Sequence, residues 1–287
     1  MRRSILALLL LALLSPALRA TAVAPDARRT LDAMGAAAHT IHDYTMTLIS
    51  QEWDGDKLGP EQSLVAKWAR PFKVYYKRLC APHKGREILY ADGWNDGRLK
   101  VSLNTFPNVK LNLDPHGDLA MGGTRHPVDE TSIVYLVNVV LENFHRADEK
   151  GEASAEDLGY ETILGRRCHK VRLTTKQTVT THVLGPKETL WDVEKEYDIA
   201  MAPLLQENHR QGWEIPGDAK PGATVRVPRY YGAKIDLWID EEINLPLRAE
   251  IYDGDGVMFE RFEHRDLRVN VGLGDKDFSP ANPEYKF

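Results

Sequence analysis

Residues 234–269 read as three strands in series, and any fold for this chain has to accommodate that meander. Ile235, Leu237 and Ile239 alternate with Asp236, Trp238 and Asp240. After a turn at Glu241 to Asn244, Leu247, Ala249 and Ile251 alternate with Arg248, Glu250 and Tyr252. A period of two implies one buried face and one solvated face. Asp253-Gly254-Asp255-Gly256 supplies residues that tolerate the positive φ of a tight hairpin turn. In the third run Phe259 and Phe262 fall on opposite faces of a regular strand, which predicts a bulge near Glu260 or a strand covered on both sides. Either belongs to a strongly curved sheet.

Six further strands are expected between Tyr44 and Leu113, separated by short polar turns such as Asp54-Gly55-Asp56 and Asp92-Gly93-Trp94-Asn95-Asp96-Gly97. Hairpins in series make an antiparallel sheet. The second of those turns resembles a calcium loop only superficially, because it lacks the further carboxylates. Strands resume at Tyr160 to Leu164 and Cys168 to Thr174.

Two amphipathic helices complete this part. The first opens at Pro25-Asp26 and carries Leu31, Met34, Ala38 and Ile41 at three- and four-residue steps. Its His39 and His42 have no carboxylate or cysteine at ligand spacing and read as surface or packing residues, so no metal is expected. After a glycine-rich loop at residues 117–127, Asp129 is placed to cap a second helix running to Arg146, with a broad stripe of Ile133, Leu136, Val137, Val140, Leu141 and Phe144. Such a helix needs a large apolar partner. The fold class is therefore α+β, a curved antiparallel β-sheet (half-barrel) with two helices in its concave face. Leu136, Val140 and Phe144 of the helix, with Leu237 and Ile239 of the meander, are the candidate lining of a hydrophobic cavity.

The first 22 residues have the layout of a secretory signal peptide: Arg2-Arg3, an apolar run from Ile5 to Leu14, Pro16, and small residues at Ala20-Thr21-Ala22 and Ala22-Val23-Ala24 that offer cleavage after Ala22 or Ala24. The apolar run is too short to span a bilayer, no cysteine follows it to carry a lipid, and no transmembrane segment is expected later. Loss of the three arginines of the signal would move the formal net charge from −5 to −8. That balance argues against nucleic acid or an anionic membrane surface as partner. Cys80 and Cys168 would meet an oxidising compartment and are expected to form one disulfide. Two separate thiols remain the alternative, because strand order is not derivable from sequence.

The exported helix-then-meander order, the mid-chain helix, and the closing run Leu237-Trp238-Ile239-Asp240 through Leu245-Pro246-Leu247-Arg248, with Asp277-Phe278 and Asn282 to Phe287, resemble the bacterial periplasmic family of LolA- and LolB-type lipoprotein carriers. More narrowly, Gly85-Arg86-Glu87 and Arg70-Pro71-Phe72 resemble a family of unknown function within that superfamily. The resemblance implies a periplasmic half-barrel whose hollow can hold a lipid or lipoprotein acyl chain.

Residues 178–229 have a separate grammar and would interrupt the half-barrel domain, leaving it as 23–177 and 230–287. A strand at Thr181 to Leu184, Thr189-Leu190-Trp191 opening a helix, a second short helix with Leu204, Leu205 and Asn208, and a strand at Val225 to Pro228 resemble a LysM module. That βααβ unit binds N-acetylglucosamine glycans, peptidoglycan above all. The resemblance places a glycan site on the first loop and the loop after the second helix, at Glu188, Thr189, Leu190, Asn208, Trp213 and Ile215. This chain has Lys187-Glu188 where the family has Gly-Asp, and a long loop with Trp213. The two strands of such a unit pair with each other, so it can replace a hairpin turn without displacing its host.

No catalytic motif and no cofactor motif is present. The expected function is an exported, non-catalytic binding protein of the cell envelope, with a lipid in the half-barrel and peptidoglycan on the insert. The alternative is a structural envelope-tethering or partner-docking protein with a closed half-barrel, in which peptidoglycan binding is the main activity.

Overall fold

The computed structural model describes residues 23–54 and 57–287; the expected signal peptide lies outside the described residues. The strands are β1 (Asp43–Asp54), β2 (Lys57–Leu58), β3 (Gln62–Ala69), β4 (Lys73–Arg78), β5 (Glu87–Ala91), β6 (Leu99–Ser102), β7 (Lys110–Leu113), β8 (Ala153–Ile163), β9 (Arg166–Thr175), β10 (Val179–Val183), β11 (Thr224–Pro228), β12 (Lys234–Asp240), β13 (Pro246–Tyr252) and β14 (Met258–Val269). The helices are α1 (Pro25–Thr40), α2 (Asp118–Met121), α3 (Ile133–Asp148), α4 (Leu190–Tyr197) and α5 (Met201–Glu207).

Twelve strands form one sheet in the order β7-β6-β5-β4-β3-β1-β14-β13-β12-β9-β8, with β2 folded onto β1. Every pairing in it is antiparallel. The ladder slips between Ile251 and Tyr252, opposite Glu260 and Met258, so Phe259 is the extra residue and the bulge lies beside Glu260 as expected. Further slips fall between Thr45 and Thr47, Trp238 and Ile239, and Asp157 and Tyr160. Each bulge bends its strand and adds twist, giving the sheet its hollow.

Helices α1 and α3 pack against each other and against β8 and β9, so they fill one half of that hollow. A Cβ at Gly35 of α1 would lie 3.0 Å from Leu141 Cδ1 of α3, which keeps the two helices close. The N-cap of α3 is Ser132, whose hydroxyl accepts the Tyr135 N–H at 2.9 Å, and not Asp129, which sits in the preceding single turn. The Tyr44 hydroxyl accepts the Ile133 N–H at 3.2 Å and ties the helix to β1.

Three other expectations change. The outer side of the meander is not solvated: Asp236 and Asp240 are buried under Arg172 and Arg166, at 2.7 and 2.6 Å. Arginine stems can cover apolar surface while pairing a carboxylate, a combination that alternation alone does not reveal. The glycine-rich loop contains α2 and the buried residues Met121, Arg125 and His126. Finally, Cys80 and Cys168 are free thiols. Cys80 follows β4 and Cys168 lies in β9, with β3, β1, β14, β13 and β12 between them. At about 4.8 Å per strand the two backbones are far beyond the reach of a disulfide.

Residues 178–229 contribute β10 and β11, which pair only with each other, enclosing α4 and α5. The Arg229 N–H donates to the Thr178 carbonyl at 3.0 Å, so the ends of the segment are adjacent. Among the described residues no helix is long and apolar enough to cross a membrane.

Candidate ligand cavity

The half of the hollow that α1 and α3 leave free holds a cavity of about 370 Å³. Alternate residues of successive strands line it: Leu48 and Ser50 of β1, Leu64 of β3, Tyr76 of β4, Ile88 of β5, Leu99 and Val101 of β6, and Phe262 and His264 of β14. The period of two puts these residues on one side of the sheet. Leu136 of α3 forms one wall, and Pro115, Leu119, Ala120 and Gly123, from the segment around α2, line another side. The volume falls within the range of small-ligand sites, which runs from about 300 to 1,000 Å³.

Of the five residues that the sequence placed on the cavity, Leu136 alone lines it. Val140, Phe144, Leu237 and Ile239 are packed in the main core, in the half that the helices fill. The residues missed include those of β1, β3 to β7 and β14. Their signal was Leu99, Val101 and Leu103 followed by Leu111 and Leu113, more alternating apolar sheet than two helices can cover.

One side of the cavity is polar. His126 Nε2 lies 2.7 Å from Glu260 Oε1, and the Tyr231 hydroxyl donates to Glu260 Oε2 at 2.8 Å. Glu52, which pairs in register with Glu260, accepts the Arg125 N–H at 2.7 Å, and the Arg125 guanidinium donates to Gln206 at 2.9 Å. Burial disfavours a charged imidazole, but Glu260 in contact and Glu52 nearby outweigh it and hold His126 up to about 9. Burial raises Glu52 and Glu130, with Glu260 adding to the first. Glu194, on α4, is pushed up to about 8 by burial and by Glu130. Burial drives His264 down to about 4. Glu52, His126, Glu130 and Tyr231 line the otherwise apolar chamber, and Glu260 holds His126 and Tyr231 from outside its lining. His126 Nε2 is committed to Glu260.

The six residues expected to bind glycan are occupied within the βααβ unit. Leu190, Asn208 and Trp213 are buried in it. Asn208 donates to the Leu204 and Arg226 carbonyls and accepts the Arg226 N–H at 2.9 Å. Glu188 accepts the Gly185 N–H at 2.8 Å and pairs with His182 at 2.9 Å. Thr189 caps α4 in a capping box with Asp192, and Ile215 is half-buried. Residues 116–121 pack against α4 and the loop after α5: His116 meets the Trp191 ring edge-on at 4.7 Å, a Cβ on Gly217 would strike the Asp118 carboxylate at 2.2 Å, and Met121 joins the unit's core. His182, Glu188 and Glu196 bring donor atoms within 4.8 Å of one another, a grouping that the His182–Glu188 pair accounts for without a metal.

A family model described as a protein of unknown function (DUF1571) matches residues 41–208 and 224–287. The match runs through β10, α4, α5 and β11 and omits the loop at 209–223. Among solved structures the chain is similar to MucB, at 12% identity and a TM-score of 0.44, over 89% of this chain and 63% of MucB. It thus spans under two thirds of that protein. It is also similar to the Mycobacterium tuberculosis lipoprotein LppX, at 12% identity and a TM-score of 0.41 over 87% of this chain and 98% of LppX. A LolA superfamily protein from Nitrosomonas europaea matches at 11% identity and a TM-score of 0.33, over 88% and 97%. No curated protein matches the sequence.

Proposed function

The chain belongs to the DUF1571 family of proteins of unknown function, and we propose that it is an exported, periplasmic, non-catalytic binding protein whose hollow sheet holds a hydrophobic ligand, the acyl chain of a lipid or lipoprotein. The observation that carries this reading is the cavity itself. Protein interiors close-pack to the density of organic crystals, and voids larger than a water molecule are few. Here a chamber of about 370 Å³, lined by leucines, Val101 and Phe262, is left in the hollow of the sheet. Organic extraction of the purified protein followed by mass spectrometry tests it. Recovery of a stoichiometric amphiphile supports the reading; protein that carries none and takes up none on reconstitution contradicts it.

A second activity is proposed for residues 178–229 as an inserted LysM-like domain that binds N-acetylglucosamine glycan of peptidoglycan. What favours it is the order strand, helix, helix, strand with the two strands paired to each other. Residues 116–121 pack against α4 and the loop after α5, beside that expected site. Deleting residues 178–229 and joining the adjacent ends tests this, with sedimentation on isolated sacculi as the readout. Loss of sedimentation supports glycan binding, and unchanged sedimentation refutes it. A tether with a closed half-barrel fits less well, since the hollow is not filled by side chains.

A further inference from the structure

We propose that the ligand of this cavity is an amphiphile with one anionic head group, a carboxylate or a phosphate, seated between Arg78 and Arg86. The inference rests on the cavity reading and narrows it.

Arg78 closes β4 and Arg86 immediately precedes β5, and the Arg78 N–H donates to the Arg86 carbonyl at 2.9 Å, so the two side chains leave neighbouring points of one hairpin. Both line the cavity, beside Leu64, Ile88 and Leu103. Neither forms an ion pair among the described residues. Arg78 donates to the neutral Gln62, and Arg86 has His83 Nδ1 at 3.0 Å. On the outer side of the same sheet Arg166, Arg172 and Arg248 each hold a carboxylate. Arg86 Nε is buried with no hydrogen-bond partner. A buried guanidinium donor without an acceptor is costly, and it is the group that an incoming anion would satisfy.

The neighbouring groups agree with two guanidinium groups lying close together. Burial and the adjacent Arg78 lower the Arg86 guanidinium. Burial, Arg86 and Arg78 lower His83. At Cys80 burial opposes the thiolate, but the Ser63 N–H and Arg78 prevail and lower the thiol. The nearest cavity carboxylate on β1, Glu52, is engaged by the Arg125 N–H. Paired guanidinium forks match the oxygens of a carboxylate or phosphate, and an apolar chamber opening directly beside them suits the attached chain.

The test is equilibrium binding of palmitate, 1-palmitoyl lysophosphatidate and the uncharged monopalmitoylglycerol to the whole protein at pH 7.5. Wild type should bind at least one of the two anions about tenfold or more tightly than the uncharged lipid, since charge-assisted pairs are the stronger hydrogen bonds. Whichever anion is tighter identifies the head group. In the Arg78→Gln, Arg86→Gln double variant the preference should disappear, the two anions being bound no more tightly than the uncharged lipid. Equal affinity of wild type for all three, or a preference that survives in the double variant, overturns the inference and leaves the cavity reading intact. Binding of none of the three removes both.

Discussion

Met121 and Leu119 lie two residues apart on α2 and serve opposite compartments: Met121 is fully buried in the core of the βααβ unit, whereas Leu119, 80% exposed, lines the cavity. Residues two apart on a helix point roughly 200° from each other, so one turn can bridge two bodies. The packing of Met121 into the unit formed by β10, α4, α5 and β11 therefore holds α2 at the cavity.

Met121→Ala should weaken that hold by about 2–5 kcal/mol, the usual cost of truncating a fully buried methionine, without altering the cavity lining. Hydrogen exchange at residues 118–123 is expected to accelerate, and a ligand should enter and leave faster in stopped-flow mixing. Unchanged exchange at those amides would show that α2 is held elsewhere.

Stability should fall as pH rises from 6 to 9. His126 sits at about 9 in the folded protein against about 6.5 unfolded, so its contribution is complete below about 6.5 and is lost as pH rises through about 9. Glu194, at about 8 against an ordinary 4.5, acts in the same direction over the lower part of that range. The expected loss is on the order of 3–6 kcal/mol, read from urea midpoints across pH. Glu194→Gln should flatten the lower part of the slope. His126→Gln should destabilise by about 3 kcal/mol at pH 6, where Glu260 loses its cation, and by less at pH 9. A flat profile in wild type would contradict the buried pairing.

Much of the fold is legible in the sequence because it is local. The phase slip at Phe259 marks its bulge, and the alternation of Leu237 and Ile239 marks their burial. The βααβ order of residues 178–229 is likewise written in consecutive residues. What was hidden depends on distant partners. Asp236 and Asp240 alternate like solvated residues but lie under Arg172 and Arg166, supplied by a strand about sixty residues earlier in the chain or more. The cavity could not be placed because helix periodicity identifies an apolar stripe without saying which half of the sheet receives it. The helices fill the half over β8 and β9, so Val140 and Phe144 became core and the strands from β1 to β7 kept the void. His126 and Glu260 are far apart in sequence, and no spacing announces their contact.

The two cysteines give an independent check on strand order. Thiol titration of unfolded, unreduced protein should count two free thiols, and reductant should add none. In the folded protein the half-buried Cys80, favoured towards thiolate by Ser63 and Arg78 against the effect of burial, should react first. Cys168, buried and pushed up to about 11 by burial and Asp240, should react last. No thiols before reduction would mean that β4 and β9 are not separated as the sheet order has them.

The most direct test of the cavity as a binding site is titration of a fluorescent fatty acid into wild type and Leu64→Trp, a substitution that fills the chamber from β3. Saturable one-to-one binding to wild type, lost in a Leu64→Trp protein that unfolds at a similar urea midpoint, is the expected result. No binding to wild type, or equal binding to both proteins, would contradict it.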